Sequence, residues 1–365
     1  MNDLGDIRYF FIFVQTPITL KSLIASVLLA CVLASCNKKD DIPAAPVEKL
    51  YTNDSILVKD FTNYQPKSVE RNQYHLLGYG YDVTGEYADS ASARKQVFDV
   101  AKLAAVWPTS VANGRSNQAS FFNVATQDAE SLAYAISRQT EDWRFFGTSE
   151  QDSKPYYRKE IASYFPNSDA FSAKYVYGRQ SIELLNRMLY FVWHDEGYLT
   201  PSFLADIKTH TPGQLTEKYG THVLTRIHLG AKLTVLYQSE TGQTDREKAA
   251  QLGFSVALAK TFGSFTGYLD HMGKQSAPGN FSQKIAFKAT GGDVTKIKTF
   301  IDSKTGITRV DYSEWGKSTS TTSPEMIDIE DVVPVYEFIE DPVKKAEVKK
   351  YFEEYIAKNS PIVTK

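Results

Sequence analysis

The chain has 365 residues and a formal charge of −2, and 42% of it is hydrophobic, which is enough for a sizeable core. The near-neutral balance includes no long run of like charge, so nothing argues for nucleic acid as a partner. The cysteines, Cys31 and Cys36, both lie near the N-terminus, which excludes a disulfide framework or a Cys-based metal site in the rest of the chain.

Residues 23–35 form an apolar run behind Lys21. A membrane-spanning helix needs about 20 such residues, so this shorter run reads as the core of a secretory signal. It ends in Leu33-Ala34-Ser35-Cys36, which resembles a bacterial lipobox. That resemblance implies a lipoprotein signal peptide over 1–36, with Cys36 as the lipidated first mature residue. The other reading is a signal-anchor in which Cys36 is a bystander. The aromatic stretch Tyr9–Phe13 makes the leading region long and leaves the true translation start open. Residues 37–47 combine Asn37-Lys38-Lys39-Asp40-Asp41 with a Pro-containing stretch and read as a flexible tether. The Lys-Asp-Asp part resembles the surface-export signal of Bacteroidota lipoproteins; a solvated charge run is the alternative. An acyl anchor would hold the chain at an outer membrane or cell surface without spanning it.

One domain is expected over 48–358. Residues 76–87 alternate glycine with aromatics and read as a strand, and 91–106 read as a helix ended by Trp107-Pro108. Residues 111–170 support helix and strand alike, and Phe171–Tyr177 alternates as a strand. Pro201 and Pro212 each open a short helix. The strongest strand is His222–Tyr237, and Phe281–Thr290 is another. Between them, Leu252, Phe254, Val256 and Leu258 alternate with small residues. Trp315 and the Ser/Thr tract 318–323 read as a loop. Val332–Phe338 reads as a strand that Pro334 confines to an edge or a bulge. Asp341-Pro342 opens a C-terminal helix with Val348, Tyr351, Phe352, Tyr355 and Ile356 on its apolar face.

The motif with most physical content is Tyr219-Gly220-Thr221-His222, followed by Val223 and, after six intervening residues, Gly230. A helix must stop here and a long strand must start at once. Gly220 supplies free dihedrals, Thr221 can bond local backbone, and His222 can tie the strand start to a neighbour. Gly230 puts no side chain where another element must cross. The pattern resembles the signature of membrane attack complex/perforin (MACPF) domains, with Val223 replacing its second aromatic and Ala231 its second glycine. Gly78–Gly85 resembles that family's first core strand, and Gly291-Gly292-Asp293 its later diglycine strand end.

The resemblance implies an α+β fold: a bent, twisted, antiparallel four-stranded central sheet flanked by helical clusters that unfurl into membrane hairpins. It places the two clusters at about 111–170 and 239–280, with the second, carrying Leu252, Phe254, Val256 and Leu258, as the better candidate hairpin. The partners implied are a lipid membrane, further copies of the chain and an unknown surface receptor. The function implied is an antibacterial or cytolytic pore-former; a non-lytic surface adhesin that keeps the fold is the alternative. No catalytic residue, cofactor or metal is expected. There is no nucleophile elbow or phosphate loop, and His222 and His228 lack zinc-ligand spacing.

Overall fold

Runs of β-branched and aromatic residues alternate with capped helices along the chain. Ile56–Asp60 (β1) precedes Tyr79–Tyr81 (β2), Ala93–Gln96 (β3) and the helix Val100–Val106 (α1). Val111–Thr126 (β4), Ala129–Thr140 (α2) and Tyr175–Phe191 (β5) come next. Helices Pro201–Thr209 (α3) and Pro212–Tyr219 (α4) lead into His222–Thr241 (β6), Arg246–Phe262 (α5) and Asn280–Thr290 (β7). A small hairpin follows, Lys298–Ile301 (β8) with Thr308–Asp311 (β9). Ser313–Ser318 (α6), Glu325–Pro334 (β10) and Pro342–Asn359 (α7) complete the order. This computed structural model describes residues 55–62, 73–140, 160–166, 169–192, 196–263, 279–319 and 324–359, all within a unit spanning Tyr51–Lys365.

β4, β5, β6 and β7 lie side by side in chain order, each antiparallel to the next. They are the four-stranded centre the resemblance implies, but the whole sheet has eight strands. β1 adds in parallel to the outer edge of β7, while β10, β2 and β3 extend the other half. β6 changes partner midway. From Lys232 onward it pairs with β7; from Gly230 back to His222 it pairs with β10. Register shifts fall at that same level, between Arg115 and Gln118 in β4 and between Leu185 and Arg187 in β5. An extra residue in a strand bends it and increases its twist, so aligned bulges bend the sheet as a unit.

The bend separates the hydrophobic cores. Below it, Val223, Leu224, Ile227 and Leu229 pack with Phe98, Phe203, Tyr219, Phe338 and Phe352. Above it, alternate residues of β6 serve opposite faces, as a period of two requires. Leu233, Val235 and Tyr237 face α5, whereas Leu236 faces α2.

Several expectations are corrected. Residues 91–106 are not one helix: Asp99 accepts the Lys102 amide as an N-cap, so α1 starts only at Val100 and β3 precedes it. The strand expected over 76–87 shortens to β2, and the one expected at Phe171–Tyr177 starts at Tyr175 and continues to Phe191. Trp315 lies in α6 rather than in a loop. The strand expected at Val332–Phe338 lies earlier, as β10, and its end turns into a 3-10 segment from Val335. The Asp341 N-cap is met, its carboxylate accepting the Val343 and Lys344 amides at 2.8 and 2.9 Å.

Candidate functional site

The corner comes first. α4 has a capping box at Thr211 and ends at Gly220, whose φ is +71°. A Cβ there would sit 2.5 Å from the Tyr81 carbonyl, so position 220 excludes a side chain on conformation and on space together. The Thr221 amide donates to the Tyr81 carbonyl at 2.9 Å, and the Val335 amide donates to the Thr221 carbonyl at 2.9 Å. Thr221 Oγ1 accepts the Val83 amide at 3.3 Å and lies 2.9 Å from His222 Nδ1. The corner is thus stitched to β2 on one side and to the 335–338 turn on the other. Tyr219 donates to Asp206 at 2.5 Å, and Lys218 also pairs with Asp206. Those contacts, Lys218 first, hold the Asp206 carboxyl below the usual range. Burial pushes the His222 imidazole down to about 4, only partly opposed by Asp82.

The second feature is the bend. A side chain at Gly230 would overlap the Leu184 carbonyl of β5, so β6 crosses β5 there backbone to backbone. Gly291 presses on the Gly230 carbonyl from the end of β7, and the Gly291 carbonyl accepts from Trp315 Nε1 at 2.8 Å. Asp293 closes this turn: its carboxylate accepts the Thr295 amide and hydroxyl, which hold it below its ordinary value, and its own amide donates to Ser318. The expected signature residues, Tyr219 to His222 and Gly230 with Gly291 to Asp293, therefore form two assemblies, a corner and a bend.

The third feature is the pair of helical clusters. The first, within 127–174, links β4 to β5; the second, within 242–279, links β6 to β7. Thr126 pairs with Tyr177, Tyr175 with Glu240, and Thr241 with Asn280, so both clusters leave the same end of the central sheet. They pack on opposite faces of it. Leu132, Ile136, Ile161, Tyr164 and Phe165 cover Tyr177, Leu236 and Ala286. On the other face, Phe254, Ala257, Leu258 and Phe262 cover Leu233, Val235, Tyr237 and Phe287.

The first cluster's bounds are corrected, while the second cluster is helical, as the resemblance implies. Residues 111–126 are a core strand, so the first cluster starts after Thr126, later than expected. The alternating stretch is helical, because Asp245 caps its start and Glu247, Lys248, Ala249 and Ala250 favour helix. On that helix Phe254 and Leu258 are buried, while Leu252 and Val256 lie half-buried on a different flank. Residues 264–278, the rest of the candidate hairpin, lie outside the described residues, as do Cys36, the signal region and the tether.

Both clusters sit on polar as well as apolar contacts. Phe254 rests against Gly178 of β5, where a Cβ would overlap its ring, and stacks on Tyr237 at 5.6 Å. Asn280 Nδ2 donates to the Ala249 carbonyl at 2.8 Å and to the Tyr237 hydroxyl at 3.3 Å, and that hydroxyl donates to Gln283 at 3.0 Å. Arg246, at the start of α5, donates to the carbonyls of Gln127 and Tyr175 at 3.0 and 2.8 Å and so ties the two clusters together. Beneath the first cluster, buried Arg179 meets Glu160 at 3.7 Å, and Lys288 meets Glu86 and Asp89 at 2.8 and 2.7 Å. These residues enclose a cavity of about 50 Å³ together with Lys232 and Thr234. Sequence reasoning missed Arg179, Gly178 and Arg246; alternation continuing past Tyr177 was the signal that could have found the first two.

His228 stands between Asp328, 3.2 Å away, and Glu330, 3.0 Å away, and Arg226 also pairs with Glu330. The two carboxylates take opposite ring nitrogens and do not converge. Among the described residues no group of three or more His, Cys, Asp or Glu could hold a metal ion. No helix among the described residues is long and apolar enough to cross a membrane, which says nothing of crossing by strands.

Residues 202–363 match the family described as the MAC/Perforin domain. A solved structure described as a cell invasion protein with a MAC/Perforin domain, from Bacteroides thetaiotaomicron VPI-5482, is similar at 19% identity and a TM-score of 0.58, over 83% of this chain and 63% of its own. GNIP1Aa from Chromobacterium piscinae is similar at 15% identity and a TM-score of 0.54, over 78% of this chain and 56% of its own. This chain therefore spans less than two thirds of the length of either structure. No curated protein matches it. At such identities the likeness shows the fold, and the fold agrees with what the corner motif implied.

Proposed function

We propose, from the MACPF domain that this chain carries, that it is a lipid-anchored protein of an outer membrane or cell surface that assembles with further copies of itself and opens a pore, as an antibacterial or cytolytic toxin does. The observation that carries the reading is the exit of both helical clusters from one end of the four-stranded sheet, one between β4 and β5 and the other between β6 and β7. Unfurled as hairpins, both segments prolong the existing antiparallel ladder without crossing each other. A membrane strand needs about 9–11 residues. Segments 127–174 and 242–279 each hold two such strands with residues to spare. The work is conformational: membrane contact shifts the balance between packed helix and extended hairpin. Cys36 carries the lipid, a surface receptor of unknown chemistry supplies targeting, and no reaction is assigned. A non-lytic surface-binding role is the second reading, favoured by Lys260, Gly263 and Gly267, which interrupt the apolar alternation of the second segment.

The test is dye release from liposomes of bacterial outer-membrane lipid, using the chain from Asn37 onward. Beside it runs the Gly178→Cys, Phe254→Cys variant, whose disulfide ties α5 to β5 at a point where a Cβ on residue 178 would lie 3.0 Å from that of residue 254. Release by the parent, lost in the oxidised variant and restored by reductant, supports the pore and its second hairpin. A well-folded parent that releases nothing removes the pore reading in favour of surface binding.

A further inference from the structure

We propose that the hairpin β8–β9 is the point at which the folded chain first touches a membrane, its tip entering a lipid surface of negative charge. The inference rests on the reading above that the chain works at a lipid surface, and it names a contact that the reading leaves open. β8 is exposed along its whole length, from Lys298 to Ile301. Successive side chains of a strand point to opposite faces. Phe300 is 50% and Ile301 71% exposed, so the body covers neither face of β8. Paired residues of a hairpin share a face. Val310, paired with Thr299, is buried in the core that α5 covers. Ile301 lies on that same face two residues further out, yet it is more exposed than any other large apolar side chain among the described residues. The body therefore supports the base of the hairpin and ends before its tip.

The overhang is held in shape. A two-stranded hairpin is marginal on its own. Here the Asp302 amide donates to the Ile307 carbonyl at 2.9 Å, and the Gly306 amide donates to the Asp302 carbonyl at 2.7 Å. The Asp302 carboxylate accepts the Lys304 amide at 2.9 Å and pairs with Arg309 at 3.2 Å. At the base, the Tyr312 ring meets that of Phe262 in α5 at 6.1 Å. A tip already ordered loses little freedom when it binds.

Charge selects the occupant. Residues 296–309 carry Lys296, Lys298, Lys304 and Arg309 against one acid, Asp302, in a chain whose net charge is −2. Asp302 answers Arg309, and Asp293 lies 3.7 Å from Lys296. Lys298 and Lys304 form no ion pair with a described residue. Apolar side chains flanked by free lysines suit the headgroup boundary of an anionic bilayer, where the ring and branched chain enter the acyl region and the ammonium groups stay among the phosphates. Val106 and Trp107 are a second adjacent pair of exposed apolar side chains, but residues 99–112 around them hold only Asp99 and Lys102 as charges. That pair lacks the basic excess and serves as the internal control.

The test uses the unacylated chain from Asn37 onward, which holds every described residue and no cysteine. Its partition into vesicles of phosphatidylethanolamine with phosphatidylglycerol is read by flotation, beside vesicles of phosphatidylcholine. The parent should bind the anionic vesicles at least about tenfold more strongly than the neutral ones, and high salt should remove that margin. An environment-sensitive fluorophore on Ile301→Cys should shift to the blue on binding, and the same fluorophore on Val106→Cys should not. Phe300→Ser with Ile301→Ser, and separately Lys298→Glu with Lys304→Glu, should each bind at least about tenfold more weakly. Trp107→Ser should bind like the parent. All these side chains are exposed, so the variants should keep the circular dichroism of the parent. A parent that ignores anionic vesicles, tip variants that bind as the parent does, or a fluorophore at position 301 that meets no lipid each overturns the proposal. So do tip variants that change sedimentation of the soluble chain but not its partition, because the tip then meets a second copy. Vesicle binding through the tip without dye release keeps this contact and removes the pore. Dye release undiminished in the tip variants keeps the pore and removes this contact, so the two readings fail separately.

Discussion

Replacing His222 by Asn should flatten the response of this fold to mild acid. The ring sits at the corner where β6 begins, and burial pushes it down to about 4, against about 6.5 for an unperturbed histidine. Between those values the unfolded chain takes up a proton that the folded chain refuses, so stability falls as pH falls through that window. At about pH 7.5 the contribution is close to zero, and at about pH 5 it amounts to about 2 kcal/mol of lost stability. His228 works in the opposite sense. Burial opposes its charge, but Asp328 and Glu330 outweigh that and raise it, so its stabilisation is full below about 6.5 and is lost as pH rises through the raised value. Every group other than position 222 cancels when parent and variant are compared at the same two pH values. The assay is urea unfolding followed by tryptophan fluorescence. The parent should lose about 2 kcal/mol more than His222→Asn between about pH 7.5 and about pH 5. Equal losses within about 0.5 kcal/mol would refute the claim that the corner holds a neutral, desolvated imidazole.

Gly220→Val should prevent normal folding, because a β-branched residue is forced to a φ of +71° with its Cβ against the Tyr81 carbonyl; a variant with native circular dichroism and full activity would contradict this. Gly230→Ala should destabilise by about 3 kcal/mol or more, since its methyl meets backbone that cannot swing aside, and calorimetry would show it as a large fall in Tm. Trp315→Phe keeps most of the buried ring but leaves the Gly291 carbonyl without its donor, so a loss of about 1–3 kcal/mol is expected in urea unfolding.

The elements legible in the sequence are those whose signal is local. The Thr211 and Asp341 caps, the prolines opening α3 and α4, and the long β-rich run of β6 all lie within a few residues of the structure they determine. The corner and the bend were legible as well, because a glycine with no alternative leaves a mark at one position. What escaped depends on distant partners. β4 reads ambiguously because most of its residues are exposed or half-buried and carry little alternation, and β5 supplies its order. The apolar alternation around Phe254 imitates a strand because both flanks of α5 have something to cover, with Gly178 admitting a ring where a side chain would have blocked it. Arg246 and Arg179 carry no local sign of their partners, which come from across the sheet or from the neighbouring cluster.

The change of partner along β6 also bears on how the molecule folds and opens. β5 runs beside both halves of that strand; on its other side, the lower half is held by β2 and β10, from the two ends of the domain, and the upper half by β7, the next strand in the chain. Contacts between distant segments form late and slowly, whereas contacts between neighbours form early. The upper half therefore assembles first. Its exchange-competent openings are bounded at the bend, where β6 trades β10 for β7 and the registers of β4 and β5 shift. Two units share the long strands β4, β5 and β6, and the one bearing both clusters can loosen while the other stays folded.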